Sequence, residues 1–507
     1  MELASVLWPL SLYFNARSVA KFLIDWHGFR ATRNFVETAY GGRADWPSVG
    51  ELARDPQAPY FLLVVAAFEE PEIVRTLRAL LAVHYREDRI RVAVITKAEE
   101  DRLPRPEMQA STAELVRRFR ASLPASQRNR LFHLVLPGPG RKADQLNWAL
   151  RPEFLQEAFG RSLDPRRLFV GVSDADSYPD PDLCRWVAHR LRESRDSAAF
   201  QGVPLALGNF DRLPTRGRIC AIQQSGIFIR VCIARLLNEG RRVELSARLA
   251  RTPAVGRWLA SAFDFSMRRS HICLGHNQLT RFDVLSEIGG YPPAGTTEDS
   301  TLGYALGARG LLLEPAPLLE LVDLPETPEQ VMRQNARWYL GAVDDAGFLW
   351  RAWREHPTAY NFAQFLRHLL NRVIEWPAAL LVFPAVGYLG WRLAWDYPHE
   401  PWSFYAGIGL PLLSIALTLW VGGVVTTAAI ARFEPLLPVQ TDLRPRGFVE
   451  RVLRVIRCQT YWVLSTRGTW KVLWAALRGT RYQAAKTDRT GKRPAESAKI
   501  RFQGVAE

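Results

Sequence analysis

Short, β-branched apolar runs alternate with stretches of helical period between Tyr60 and Ala206. The runs are Tyr60–Ala66, Ile90–Thr96, Leu131–Leu136 and Leu168–Val172, and the helical stretches are Glu72–Val83, Ala110–Ser122 and Lys142–Phe159. Runs that are apolar throughout suit strands buried on both faces, and strands separated by helices pair side by side in parallel. The pattern therefore predicts an α/β domain with a mainly parallel sheet over residues 59–325. Ligands bind such sheets beyond the carboxyl ends of the strands, where Asp174 and Asp176 directly follow the fourth run. Residues 207–270 are Arg-rich and mixed, with helices expected and no motif. A helical rhythm resumes over Leu279–Gly290 and Ser300–Leu312, and Pro315 and Pro317 punctuate the segment after it. Glu329–Trp353 reads as a helix, and an amphipathic stretch, Phe362–Leu370, closes the segment 326–372.

Two later windows, Val373–Trp395 and Ser403–Ala431, are long and apolar enough to span a bilayer, and the second contains no charged residue. The link between them has no Lys or Arg, whereas the flanking segments are rich in Arg. By the positive-inside rule residues 373–431 form a C-terminal transmembrane hairpin whose turn faces outward. Trp376, Trp391, Trp395 and Trp402 stand where interfacial belts would. The resulting expectation is a multi-pass protein of the cytoplasmic (inner) membrane, with the α/β domain and both termini cytosolic. Within residues 1–58, Leu3–Phe14 is apolar but too short to span, so an interfacial helix or one packed on the soluble domain is expected. Over 432–507, Phe448–Val463 and Thr469–Leu477 read as basic amphipathic helices in the interface, ahead of a polar cytosolic tail.

Composition sharpens this picture. The net charge is +15, and from Arg432 to Glu507 sixteen Lys/Arg face six Asp/Glu, so ten of the excess charges lie there. That location favours an anionic membrane surface over a nucleic-acid groove, and no nucleic-acid partner is expected. The five cysteines are scattered with no C-x-x-C pair, which indicates neither a zinc site nor a disulfide framework.

Three clusters carry chemistry, in a fixed order. Asp174 and Asp176 flank one residue, so both carboxylates can approach one divalent cation, with Mg²⁺ or Mn²⁺ the ions that favour such oxygen ligands. Thr297-Glu298-Asp299 supplies carboxylates able to deprotonate a hydroxyl, and the same residues suit a helix N-terminus. Gln334, Arg337 and Trp338 share one helical face: Arg337 can bind a diphosphate, and Trp338 offers a flat apolar face to a sugar ring.

These clusters resemble the D-x-D, T-E-D and Q-x-x-R-W of the membrane-bound family-2 glycosyltransferases of the cellulose-synthase and hyaluronan-synthase type, from about Pro59 to the end of the membrane region. Ala66-Ala67-Phe68-Glu69-Glu70-Pro71 resembles the loop after their first strand, and Lys142-Ala143-Asp144-Gln145-Leu146-Asn147 their Lys-Ala-Gly-x-x-Asn helix start. Gly275-His276-Asn277 with Gly289-Gly290 resembles their acceptor-side segment, and Lys486-Thr487-Asp488-Arg489 a C-terminal element. The resemblance implies a GT-A (Rossmann-like) fold, a nucleotide-sugar donor (a UDP-sugar favoured) and inversion at the anomeric carbon. It implies Asp299 as general base with Glu298 beside it, and Arg337 on the leaving diphosphate. Glu70, Lys142, Asp174 and Gln334 fall on the donor side, and Gly275, His276, Asn277 and Trp338 on the acceptor side. Where most members carry Asp-Asp-Gly, this chain has Thr96-Lys97-Ala98-Glu99-Glu100-Asp101, so Glu99 or Glu100 substitutes at the nucleotide base. The acceptor is expected to be a growing polysaccharide or, alternatively, a glycolipid or lipid-linked oligosaccharide. A hairpin is little from which to build a pore, so an oligomer or an export partner is expected with a polymer product. A non-catalytic membrane scaffold is the remaining reading, disfavoured because only the base-binding loop departs from the pattern.

Overall fold

The computed structural model describes residues 3–482 apart from 103–109, 161–162, 195, 239–247, 250, 253–255, 257–272, 294–295, 310, 397–398, 400–404, 438–442, 444–446 and 481. The C-terminal element at Lys486–Arg489, the polar tail and most of the link between the two apolar windows lie outside these residues.

Eight strands form one sheet: β1 (Tyr60–Ala66), β2 (Ile90–Lys97), β3 (Leu131–Leu136), β4 (Leu168–Ser173), β5 (Ser177–Tyr178), β6 (Ala199–Leu205), β7 (Gln278–Arg281) and β8 (Leu313–Val322), in the order β3-β2-β1-β4-β7-β6-β8-β5. The four expected strands pair in parallel, with Val65 beside both Val94 and Ser173. Their side chains alternate between two cores. Leu62, Val64, Val170 and Val172 pack on one face with Ala143 and Leu146, while Phe61, Leu63, Val65 and Phe169 pack on the other with Ile73, Leu77 and Val116.

The second half makes the sheet mixed. β7 runs antiparallel to both β4 and β6, β6 pairs in parallel with β8, and β5 pairs antiparallel with β8. Gln278–Arg281 is a strand although it opens a stretch with helical rhythm, and the helix begins only at Phe282. Pro315 and Pro317 lie inside β8, where the register against β6 jumps between Gln201 and Val203. A bulge of this kind accommodates residues that cannot donate to the ladder.

Helices surround the sheet. The first runs over Leu3–Gly41, well past the apolar stretch that suggested it, because Arg17 and Lys21 do not stop a helix. It docks on the 215–238 segment through a buried ion pair, Asp25 to Arg230 at 3.0 Å, and a bond from Thr32 Oγ1 to the Ile229 carbonyl. Trp26 stacks on Trp420 at 5.9 Å. Among the described residues, two helices are long and apolar enough to cross a membrane: Thr215–Asn238, whose apolar window is 78% buried inside the protein, and Ile415–Leu436, 41% buried. The second falls largely within the second expected span. The first expected span is also helical, over Glu375–Asp396, but is not among these two.

Candidate active site

The parallel strands bring their following loops to one edge of the sheet. Glu70 follows β1, Glu99 and Glu100 follow β2, and Asp174 and Asp176 follow β4. Because β7 is antiparallel to β4, with Val172 opposite Gln278, the residues before β7 reach that same edge. Gly275 thus meets the residues that follow β4.

Lys142, at the start of the helix Lys142–Trp148, joins these loops. Its Nζ donates to Asp174 Oδ1 at 2.7 Å and to the Gly275 carbonyl at 2.9 Å, and lies 3.2 Å from Glu298 Oε1. Burial alone would lower its pKa, but Asp174, Glu298 and Asp299 outweigh that and hold the ammonium well above its usual range. Asp299 sits in the first turn of the helix Glu298–Ala308 and accepts from the Ser300 amide at 2.8 Å. Burial and the neighbouring Glu298 push its pKa up to about 7, against the pull of Lys142 and the Ser300 amide. Gly275 has φ of +75°, and a Cβ there would lie 2.5 Å from Asp299 Oδ2. Only glycine tolerates both the left-handed backbone and this approach.

The remaining expected residues divide. Asp174 keeps 38% of its side chain exposed, whereas Asp176 is buried. His276 turns onto Glu320 at 2.5 Å; burial would lower its pKa, but the Glu320 carboxylate raises it to about 9. Asn277 is buried and donates to the Leu318 carbonyl. Glu100 is 1% exposed and accepts from the amide and hydroxyl of Thr112, whose hydroxyl accepts from the Glu70 amide. Glu99 is the more open of the two glutamates and lies 3.2 Å from Lys97. Gln334, Arg337 and Trp338 lie on the helix Pro328–Glu355; Gln334 is buried, and Arg337 and Trp338 are half-buried. Arg337 has no ion-pair partner among the described residues.

The family model for "Glycosyltransferase like family 2" matches residues 56–341. The chain belongs to that family. No curated protein matches this family-2 glycosyltransferase in sequence at a significant level. Solved structures similar to it include a mannosyltransferase from Pyrobaculum calidifontis in complex with GDP-mannose and Mn²⁺, 14% identical, with 90% of this chain and 99% of that one covered and a TM-score of 0.40. Residues 1–349 of TarS from S. aureus in complex with UDP-GlcNAc are 13% identical, with 84% and 93% covered and a TM-score of 0.33. Both scores lie below 0.5, and the assignment rests on the family match. The mixed sheet with a parallel first half is the GT-A-like arrangement that the motifs imply.

Among the described residues, no group of three or more His, Cys, Asp or Glu gathers as a metal site. Sequence reasoning misses Glu320, a fully buried acid within an apolar run, and the acidic pair Asp344-Asp345. The interruption of an apolar strand by Glu320 is a signal in its own right. Asp344 and Asp345 look like one solvated turn of a helix.

Proposed function

We propose that this family-2 glycosyltransferase is membrane-attached, inverting and metal-dependent, and moves a sugar from a nucleotide-sugar, a UDP-sugar favoured, to a growing polysaccharide. The observation that carries the reading is the Lys142 cluster, where a carboxylate titrating near neutrality, Asp299, lies at the same sheet edge as Asp174. A general base works best when its pKa is close to the working pH. Asp299 would take the proton from the acceptor hydroxyl. Lys142 would keep Asp174 and Glu298 in place, and Arg337, a guanidinium without an ion-pair partner among the described residues, would bind the leaving diphosphate with Gln334 beside it. Trp338, Gly275, His276 and Asn277 would form the acceptor side, the last two by shaping the loop. Glu99, the more open of its pair, would meet the nucleotide base, with Glu100 and Glu70 holding the loop around Thr112.

Magnesium and manganese are commonly held by one or two carboxylates and complete their shell with phosphate oxygens and water. The half-open Asp174 and its neighbour Asp176 fit that donor set, and a cation held there would offset charge on the diphosphate.

Exposed apolar side chains support membrane attachment. Tyr388 and Trp395 on one helix and Tyr405 and Leu412 on the next are each more than half exposed, a surface suited to lipid. One observation favours the second reading, single addition to a lipid-linked acceptor. Of the two helices long and apolar enough to span among the described residues, Thr215–Asn238 is mostly buried within the protein, which leaves little to line an extrusion channel.

Purified protein with Mn²⁺ and a panel of nucleotide-sugars, read for released nucleotide and product size, tests the proposal. A ladder of products indicates a polymer, and one added sugar indicates the second reading. Asp299→Asn is expected to bind donor normally and to lose transfer by about 10²–10⁴-fold. Wild-type transfer by this variant would refute the base assignment.

A further inference from the structure

We infer that Asp345, assisted by Asp344, is a positioning residue that clamps the turn around Asp299 and so fixes the carboxylate against the Gly275 backbone. The inference rests on the reading of Asp299 as the base. Asp345 accepts from Ser300 Oγ at 2.5 Å and from Thr301 Oγ1 at 2.7 Å, one hydroxyl on each oxygen. Asp344 Oδ2 accepts from the amide of Thr296 at 3.0 Å and from its hydroxyl at 2.5 Å. Asp299 is therefore held from both sides in sequence, three residues before it and one and two residues after it. Bonds to ionised acceptors are about twice as strong as neutral ones. The two elements also touch directly, since a Cβ on Gly341 would lie 2.3 Å from Thr297 Oγ1.

A helix contact of this kind could be made by apolar side chains at lower cost, because a buried carboxylate must be desolvated. Asp345 is only 2% exposed, and burial lifts its pKa to about 6 although both hydroxyls favour the ionised form. What the acid adds over an apolar contact is direction, with two hydroxyls fixed in orientation beside the base. The same helix carries Arg337, and Asp344 stands seven residues, two turns, further along on the same stripe. One rod thus holds both the cation for the leaving group and the turn that presents the base.

The test compares wild type, Asp345→Leu, Asp345→Asn, Asp299→Asn and the Asp345→Leu/Asp299→Asn double variant for kcat, donor KM, donor affinity and hydrogen exchange of amides 298–301. Asp345→Leu is expected to lower kcat by about 10–100-fold, the scale of a small misplacement of a reacting group, with donor affinity unchanged. Asp345→Asn, which keeps one acceptor oxygen, is expected to recover most of that loss. The double variant should be no slower than Asp299→Asn, because the clamp acts only through the base. Exchange at 298–301 should rise in Asp345→Leu and stay at the wild-type level in Asp299→Asn. A wild-type kcat in Asp345→Leu, a further loss in the double variant, or unchanged exchange would overturn the inference. Absence of transfer by the wild type would instead count against the proposed function, and the exchange comparison would still decide the clamp. If Asp345→Leu does not fold, Ser300→Ala/Thr301→Val removes the same two bonds from the other side and carries the same expectations.

Discussion

At the scale of the residue, a single ammonium organises three carboxylates. Lys142 touches Asp174 and Glu298 and lowers the pKa of Asp299 from the value that burial and Glu298 would set. The sign of each influence makes the pH dependence testable. A base must be ionised to accept a proton, so transfer is expected to rise as pH passes about 7 and to be lost below it. Glu298→Gln removes a neighbouring negative charge that pushes Asp299 up, so the acid limb should move to lower pH; Lys142→Met should move it higher. Profiles of kcat against pH for the three proteins check both directions. Asp174 and Asp299, which lie together around Lys142, stand in short motifs that the sequence singles out, because such motifs record residues whose chemistry depends on local spacing. Asp345 is not singled out, because its partners Ser300 and Thr301 lie 45 and 44 positions away and nothing in a helix sequence marks an acid that faces inward.

At the scale of the element, polar side chains bridge the helices beyond the sheet at several points. Ser465, on the helix Gln459–Leu477, donates to Asn335 Oδ1 at 2.8 Å and accepts from Trp376 Nε1 at 2.9 Å. One hydroxyl therefore ties the helix that carries Arg337 to the last helix and to the first apolar one. Ser465→Ala would leave two polar groups without that partner, at about 1–3 kcal/mol. The expected result is a lower melting temperature with donor KM unchanged, measured by thermal unfolding and initial rates. The sequence pattern divides this region into two interfacial pieces. The break falls instead at Cys458, between the helices Phe448–Arg457 and Gln459–Leu477, and in the second Tyr461, Thr466, Thr469 and Val472 are buried while Trp474 and Leu477 remain exposed. Strands β1 to β4 are readable because continuous β-branched runs have few other uses. β7 is not, since Leu279, Phe282 and Leu285 keep helical spacing and only pairing between β4 and β6 makes its first four residues a strand.

At the scale of the whole molecule, charge and apolar surface are both consistent with the proposed membrane attachment. The exposed aromatic and aliphatic residues on Glu375–Asp396 and the following helix, with ten excess positive charges from Arg432 onward, suit an anionic bilayer. The protein is expected to stay in the membrane fraction through high-salt and alkaline carbonate washes and to be released by detergent. Release by salt alone would rule out a spanning helix. The apolar window Ser403–Ala431 is legible because it holds no charge. Thr215–Asn238 is not, because Arg216, Arg218, Arg230 and Arg235 break up its apolar pattern, although it is mostly buried. The buried pair between Asp25 and Arg230 spans 205 positions of sequence, which sets a schedule for assembly. At about 5–20 residues per second the ribosome needs roughly 10–40 s to supply the second partner after the first. Throughout that wait Asp25 on the Leu3–Gly41 helix lacks the guanidinium it is buried against in the folded protein, so this docking can close only after residue 230 is made.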